Sequence, residues 1–112
     1  MLKVFISQPM RGKPDKEIRD ERERAIEIVK KICGEDAEII DSFFEGAPVS
    51  ANPLWFFGKS IQLLSTADVA YFVTGWEKAR GCSIEHTCAI EYGMNIIEEG
   101  DFDDEDEEED EE

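Results

Sequence analysis

The chain is poor in the residues that most often betray a chemistry. It has a single histidine, His86, and three cysteines, Cys33, Cys82 and Cys88, with no CxxC pair among them. One His and no metal-ligand spacing argue against a zinc site, and no metal is expected. An odd cysteine count, with no basic n-region or small-residue cleavage site in MLKVFIS, favours reduced thiols and a cytoplasmic setting. No apolar run nears the roughly 18 residues of a membrane span, so no membrane partner is expected. There is no GxGxxG after the first apolar run, no GxxxxGK[ST] and no GxSxG. Those absences disfavour a dinucleotide cofactor, a P-loop and a hydrolase elbow, and no cofactor is expected.

Positive charge is also scarce. The 112 residues hold 12 Lys+Arg against 28 Asp+Glu, a formal charge of −16. The imbalance sits at one end: residues 98–112, EEGDFDDEDEEEDEE, carry 13 acids and no base. Residues 1–97 are left at −3, close to neutral. The division is therefore a domain over 1–97 and an acidic tail over 98–112. A block of like charge repels itself and buries nothing, so the tail is expected to be disordered. It solubilises the chain or attracts a basic protein partner, with Phe102 as its one apolar residue. Direct nucleic-acid binding is not expected of such a surface.

What is present reads as alternating strands and helices. LKVFIS (2–7), AEIID (37–41), DVAYFV (68–73) and MNII (94–97) are short apolar runs suited to buried strands. Between them, 15–33 is an amphipathic helix with Ile18, Ala25, Val29 and Ile32 on one side, opened after Pro14 and closed by Gly34. Asn52-Pro53 starts a second helix over 53–65, with Leu54, Ile61 and Leu64 inward. A third helix runs from about 83 to 92. Crossover helices of this length imply parallel strands with helices on both faces. The fold class is α/β: a small doubly wound, flavodoxin-like parallel sheet of four strands in order 2-1-3-4.

Ligands of such sheets bind beyond the carboxyl ends of the strands. Three loops then matter. The first holds Ser7, Gln8, Arg11, Gly12 and Lys13; the second Asp41, Ser42, Phe43 and Phe44; the third Trp76, Lys78, Arg80 and Gly81. Gly81 lets the chain turn closely into the third helix. Glu85 then lies near that helix's N-terminus, where the dipole favours its carboxylate form. A carboxylate so placed suits attack at a sugar's anomeric carbon, or does no more than complement the dipole. A Cys82–His86 nucleophile pair is a weaker reading of the same segment.

FISQPMRGK after the first strand, ADVAYFV in the third and ARGCSIEHTCAIEYG beyond it resemble the nucleoside 2-deoxyribosyltransferase superfamily, which includes deoxynucleoside 5′-monophosphate N-glycosidases. Over nearly all of 1–97, including DSFF, PLWFFG and GWEKARGCSIEH, the chain resembles a small, uncharacterised bacterial and phage branch of it. The resemblance implies a nucleophilic Glu85, a catalytic Asp68 and a phosphate-holding loop at Arg11 and Gly12, with Trp76, Phe43 or Phe44 stacking on the base; the strand-end loops add Ser7, Gln8, Asp41, Arg80 and Gly81 around the substrate. The chain departs from the pattern at Phe5, where the glycosidases carry tyrosine, and at Thr74, Gly75 and Trp76, where the transferases carry aspartate. The C-terminal region that completes a neighbour's site in the transferases is replaced by the acidic tail.

Three readings stay open. The chain cleaves or transfers the N-glycosidic bond of a deoxynucleoside or its monophosphate, binds such a small molecule without cleaving it, or acts through its tail. Trp55, Phe56 and Phe57 in succession cannot all face one core, so a homo-oligomer is expected.

Overall fold

The structure is a computed structural model describing residues 1–41, 50 and 52–99. Among the described residues four strands and three α-helices alternate: β1 (Lys3–Ser7), α1 (Asp15–Cys33), β2 (Glu38–Ile39), α2 (Pro53–Leu64), β3 (Val69–Phe72), α3 (Arg80–Glu91) and β4 (Asn95–Glu98). A single 3-10 turn, Trp76–Lys78, precedes α3. The sheet is four-stranded, parallel throughout, in the order β2-β1-β3-β4, as the sequence pattern predicts.

Strand alternation sorts the core onto two faces. Val4, Ile6, Val69, Tyr71 and Val73 meet Ala25 and Val29 of α1 on one side. Phe5, Ala70 and Phe72 meet Leu64 of α2 and Ala89 of α3 on the other. β1 and β3 are thus covered on both faces, which is why their sequences are almost continuously apolar. Each large side chain so buried contributes about 1.5–3 kcal/mol.

Several details differ from the periodicity reading. Ile32 is 45% exposed, because the last turn of α1 presents Cys33, four residues beyond Val29, to the core instead. Leu54 is 74% exposed: it stands in the first turn of α2, which overhangs a cleft rather than the sheet. α3 begins at Arg80, ahead of the expected 83.

The C-terminal boundary also moves. Glu98 belongs to β4, and the Glu99 N–H extends the ladder by donating to the Phe72 carbonyl at 2.9 Å. The Glu99 side chain is buried, so the folded unit runs two residues past the expected 97. The rest of the acidic tail lies outside the described residues.

Candidate functional site

β1 and β3 end side by side, with Ser7 opposite Phe72 in register. Three segments leave that edge: the loop after β1, the loop between β3 and α3, and the N-terminal turn of α2, capped by Asn52 Oδ1 accepting from the Trp55 N–H at 2.9 Å. They enclose a cleft of about 1210 Å³. The N-termini of α2 and α3 both open onto it, with their positive dipole ends.

Glu85 forms the floor. It projects from the second turn of α3, is 6% exposed, and accepts a 2.6 Å hydrogen bond at Oε1 from the Ser7 hydroxyl. Among the described residues Oε2 takes no hydrogen bond, which leaves it as the oxygen that can meet a ligand. Burial pushes the Glu85 carboxyl up from its ordinary range, and the Ser7 bond partly offsets the push. The expected dipole effect is not what governs this acid. α3 starts earlier than expected, so Glu85 lies past the first turn, where the dipole fades.

Cys82 also lines the cleft, but burial pushes its thiol up to about 11, the Glu85 charge adds to this, and the Ser7 bond opposes it. A thiol so protonated is a poor nucleophile. His86 cannot activate it: the His86 ring stacks on Trp76 at 3.9 Å and its Nε2 meets Glu98 Oε2 at 2.7 Å. The Cys82–His86 reading is therefore set aside.

The rim is cationic. Arg11, Lys13, Lys78 and Arg80 all line the cleft. Lys13 is held by Glu21 at 3.0 Å, whereas Arg11, Lys78 and Arg80 are exposed and make no ion pair among the described residues. Glu85 is the one carboxylate among the described lining residues.

Ser7, Gln8, Arg11, Arg80, Gly81 and Glu85 are brought together as the sequence reading expects. Gln8 is 7% exposed and braces the loop by donating from Nε2 to the Ile18 carbonyl at 2.6 Å. Gly12 does not line the cleft; at φ 79° it turns the loop that presents Arg11. Gly81 has ordinary helical backbone, not the special turn expected of it, and an added Cβ would meet only the Phe57 ring at 3.7 Å.

Three expected residues lie elsewhere. Asp68 sits at the amino end of β3, where Oδ2 accepts from the Lys3 N–H at 2.8 Å. That is four strand residues, about 13 Å, from the Ser7 end, so Asp68 stitches the first rung of the sheet and does not face Glu85. Trp76 packs on Phe72 and His86 in the core beneath α3, not in the cleft. Asp41 is exposed beyond β2; burial pushes the Arg22 guanidinium down and the Asp41 charge pushes it back. Ser42, Phe43 and Phe44 lie outside the described residues.

Sequence reasoning missed two contributors. Phe56 and Phe57 of α2 supply an aromatic wall. The Asn52-Pro53 start of α2, at the carboxyl edge of the sheet, is the signal that places them there. It also missed Glu99, which accepts from Tyr71 Oη at 2.8 Å, from the Thr74 N–H and hydroxyl at 2.9 and 2.7 Å, and from Arg24 Nη2 at 3.0 Å.

No described helix is long and apolar enough to cross a membrane, and no group of three or more His, Cys, Asp or Glu among the described residues could hold a metal ion. No family model matches the chain, and no curated protein matches it.

Proposed function

We propose that the cleft binds a deoxynucleoside 5′-monophosphate and that Glu85 attacks its C1′, releasing the base. The observation that carries this reading is a buried carboxylate, held by Ser7, at the floor of a cleft whose rim carries three guanidinium or ammonium groups that make no ion pair among the described residues. A phosphate fits the rim: Arg11 and Arg80 offer planar forks for its oxygens, Lys78 a point charge, and the α3 N-terminus adds N–H donors. The apolar wall of Phe56 and Phe57 offers stacking area for a base.

The steps balance without a cofactor. Oε2 of Glu85 forms a bond to C1′ as the C1′–N bond breaks, and its electron pair leaves with the base, which takes a proton from water. A water molecule then attacks C1′ of the glycosyl ester and gives its proton to the hydroxide left by the first step, as the C1′–Oε2 bond breaks and its electron pair returns to Glu85, yielding the sugar phosphate and the free carboxylate. The raised proton affinity of a buried carboxylate makes it a stronger nucleophile once ionised.

A second reading has its own support. Glycosidases commonly pair two carboxyl groups, and here Asp68 is at the wrong end of the sheet. With one carboxylate, the cleft would hold a nucleotide without cleaving it. Incubation with deoxynucleosides and their monophosphates, following free base, separates the two. Release that disappears in Glu85→Ala supports the enzyme; thermal stabilisation by a nucleotide without release supports the binding module; neither response overturns both.

A further inference from the structure

The side chains that close the sheet at β4 grip the β3–α3 loop from opposite sides. Alternation along the strand sends Glu98 toward α3 and Glu99 toward α1. Glu98 Oε2 meets His86 Nε2 at 2.7 Å, and the His86 ring stacks on Trp76 of the loop at 3.9 Å. Glu99 is 3% exposed. Its Oε1 accepts from the Thr74 N–H, the Thr74 hydroxyl and Arg24 Nη2, and its Oε2 from Tyr71 Oη.

Thr74 is where the sheet ends and the loop begins. The Val73 N–H still donates to the Ser7 carbonyl at 3.0 Å, whereas the next N–H, that of Thr74, goes to the Glu99 side chain. Hydrogen bonds then run on without a break. Trp76 N–H donates to the Val73 carbonyl at 3.1 Å, Lys78 N–H to Gly75 at 3.1 Å, Ala79 N–H to Trp76 at 3.2 Å and Ser83 N–H to Ala79 at 2.8 Å. The segment from β3 into α3 is therefore one hydrogen-bonded piece, and a shift at Thr74 is passed to Lys78 and Arg80. Those two line the cleft; Thr74 and Glu99 do not.

A buried carboxylate is a poor means to stability alone, since apolar packing fills the same space without desolvating a charge. Four donors converging on one carboxylate do something apolar packing does not: each bond constrains an angle as well as a distance. Glu85 is held separately, by Ser7 of β1, so the grip on Thr74 bears on the rim and not on the floor of the cleft.

We propose that Glu99 is a positioning residue for the cationic rim: by fixing Thr74 it sets where Lys78 and Arg80 meet the ligand's phosphate. The phosphate rests on the nucleotide reading above; the hold on the loop does not.

The test uses the full chain and its Glu99→Gln and Thr74→Val variants, at a temperature where all are folded. Thr74→Val keeps the side chain's size and removes only the hydroxyl. Affinities for deoxyadenosine 5′-monophosphate and for deoxyadenosine give, as a ratio, the share of binding owed to the phosphate. That ratio should fall roughly tenfold in Glu99→Gln and by a smaller factor in Thr74→Val, with deoxyadenosine affinity unchanged. Thr74→Ser, which keeps both donors, should match the parent. In a chain carrying Lys78→Gln and Arg80→Gln, Glu99→Gln should change the ratio no further. An unchanged ratio, equal losses for both ligands, or a full loss that persists without Lys78 and Arg80 overturns the proposal. Hydrogen exchange reads the hold on the loop without a ligand. The Lys78 and Ala79 amides should exchange faster in Glu99→Gln by a larger factor than the amides of β1; equal acceleration overturns the proposal. Equal affinity of the parent for the two ligands counts against the nucleotide reading, while the exchange comparison still decides the hold.

Discussion

The Ser7 hydroxyl and the Glu85 carboxylate, 78 residues apart in sequence, meet at 2.6 Å beneath the cleft. One closes β1 and the other stands in the second turn of α3, so the parallel pairing of β1 with β3 is what brings them together. The bond leaves Oε2 without a hydrogen bond among the described residues and offsets part of the push that burial exerts on the carboxyl.

Ser7→Ala should therefore raise the Glu85 proton affinity further, since the Ser7 hydrogen bond, which favours the ionised form, is gone. A carbon-detected carboxyl titration should show the Glu85 midpoint moving to higher pH. The stability loss should be about 1–3 kcal/mol, the cost of a buried polar group left unpaired. An unmoved midpoint would mean that Ser7 does not set this acid's charge.

Glu85→Gln carries an opposite sign for stability. A carboxyl whose folded pKa lies above its unfolded value favours folding fully only below the unfolded value, and that contribution is lost as pH rises through the folded one. The variant should consequently melt higher than the parent at about pH 8, with the gap closing towards about pH 4. Thermal unfolding across that range checks it. A variant less stable at both ends would contradict a burial-penalised carboxylate.

Glu99 behaves in the reverse sense. Burial pushes its carboxyl up, but the bonds from Thr74, Arg24 and Tyr71 together outweigh burial and hold it below the ordinary value. Its contribution is present above the unfolded value and lost as pH falls through the lowered one. Glu99→Gln should cost about 2 kcal/mol at neutral pH, most of it from leaving Arg24 and the Thr74 N–H poorly matched. The deficit should shrink in acid, which pH-dependent denaturant unfolding would reveal.

Trp76→Ala should lower stability by about 2–3 kcal/mol, because the ring fills space against Phe72 and His86. It should leave nucleotide affinity unchanged once folded. Loss of binding without loss of stability would return Trp76 to the cleft. Gly81→Ala makes the complementary case. Its backbone is helical and its added Cβ finds only ordinary contact with Phe57, so stability should hold or rise by about 0.5–1 kcal/mol. Weakened ligand binding in that variant would show that a ligand approaches the α3 backbone closely.

How far the residues disclosed this arrangement depends on the kind of signal each carried. The strand order followed from apolar runs of two-sided burial in β1 and β3 and from helices long enough only for crossovers. Gathering of Ser7, Gln8, Arg11, Arg80 and Glu85 followed from the rule that the carboxyl edge of such a sheet collects its loops. Asp68 was misplaced because motif likeness carries no register: opening a strand puts a residue at the amino edge, whatever its chemistry. Trp76 lies in a strand-end loop and so was placed around the substrate, yet a 3-10 turn folds it back on the core, a tertiary effect no local pattern encodes. Glu99 was invisible because the second acid of an acidic run differs from the others only in following Glu98, the residue in register with Phe72.

The central claim is that Glu85 attacks a nucleotide held at the cationic rim. Its most direct test is trapping the ester in single-turnover reactions with a deoxynucleoside 5′-monophosphate, read by intact-protein mass spectrometry and peptide mapping. The account predicts a deoxyribose-phosphate adduct on Glu85 that is absent in Glu85→Ala, with stoichiometric release of base. Base release without an adduct, or an adduct elsewhere on the chain, would contradict it.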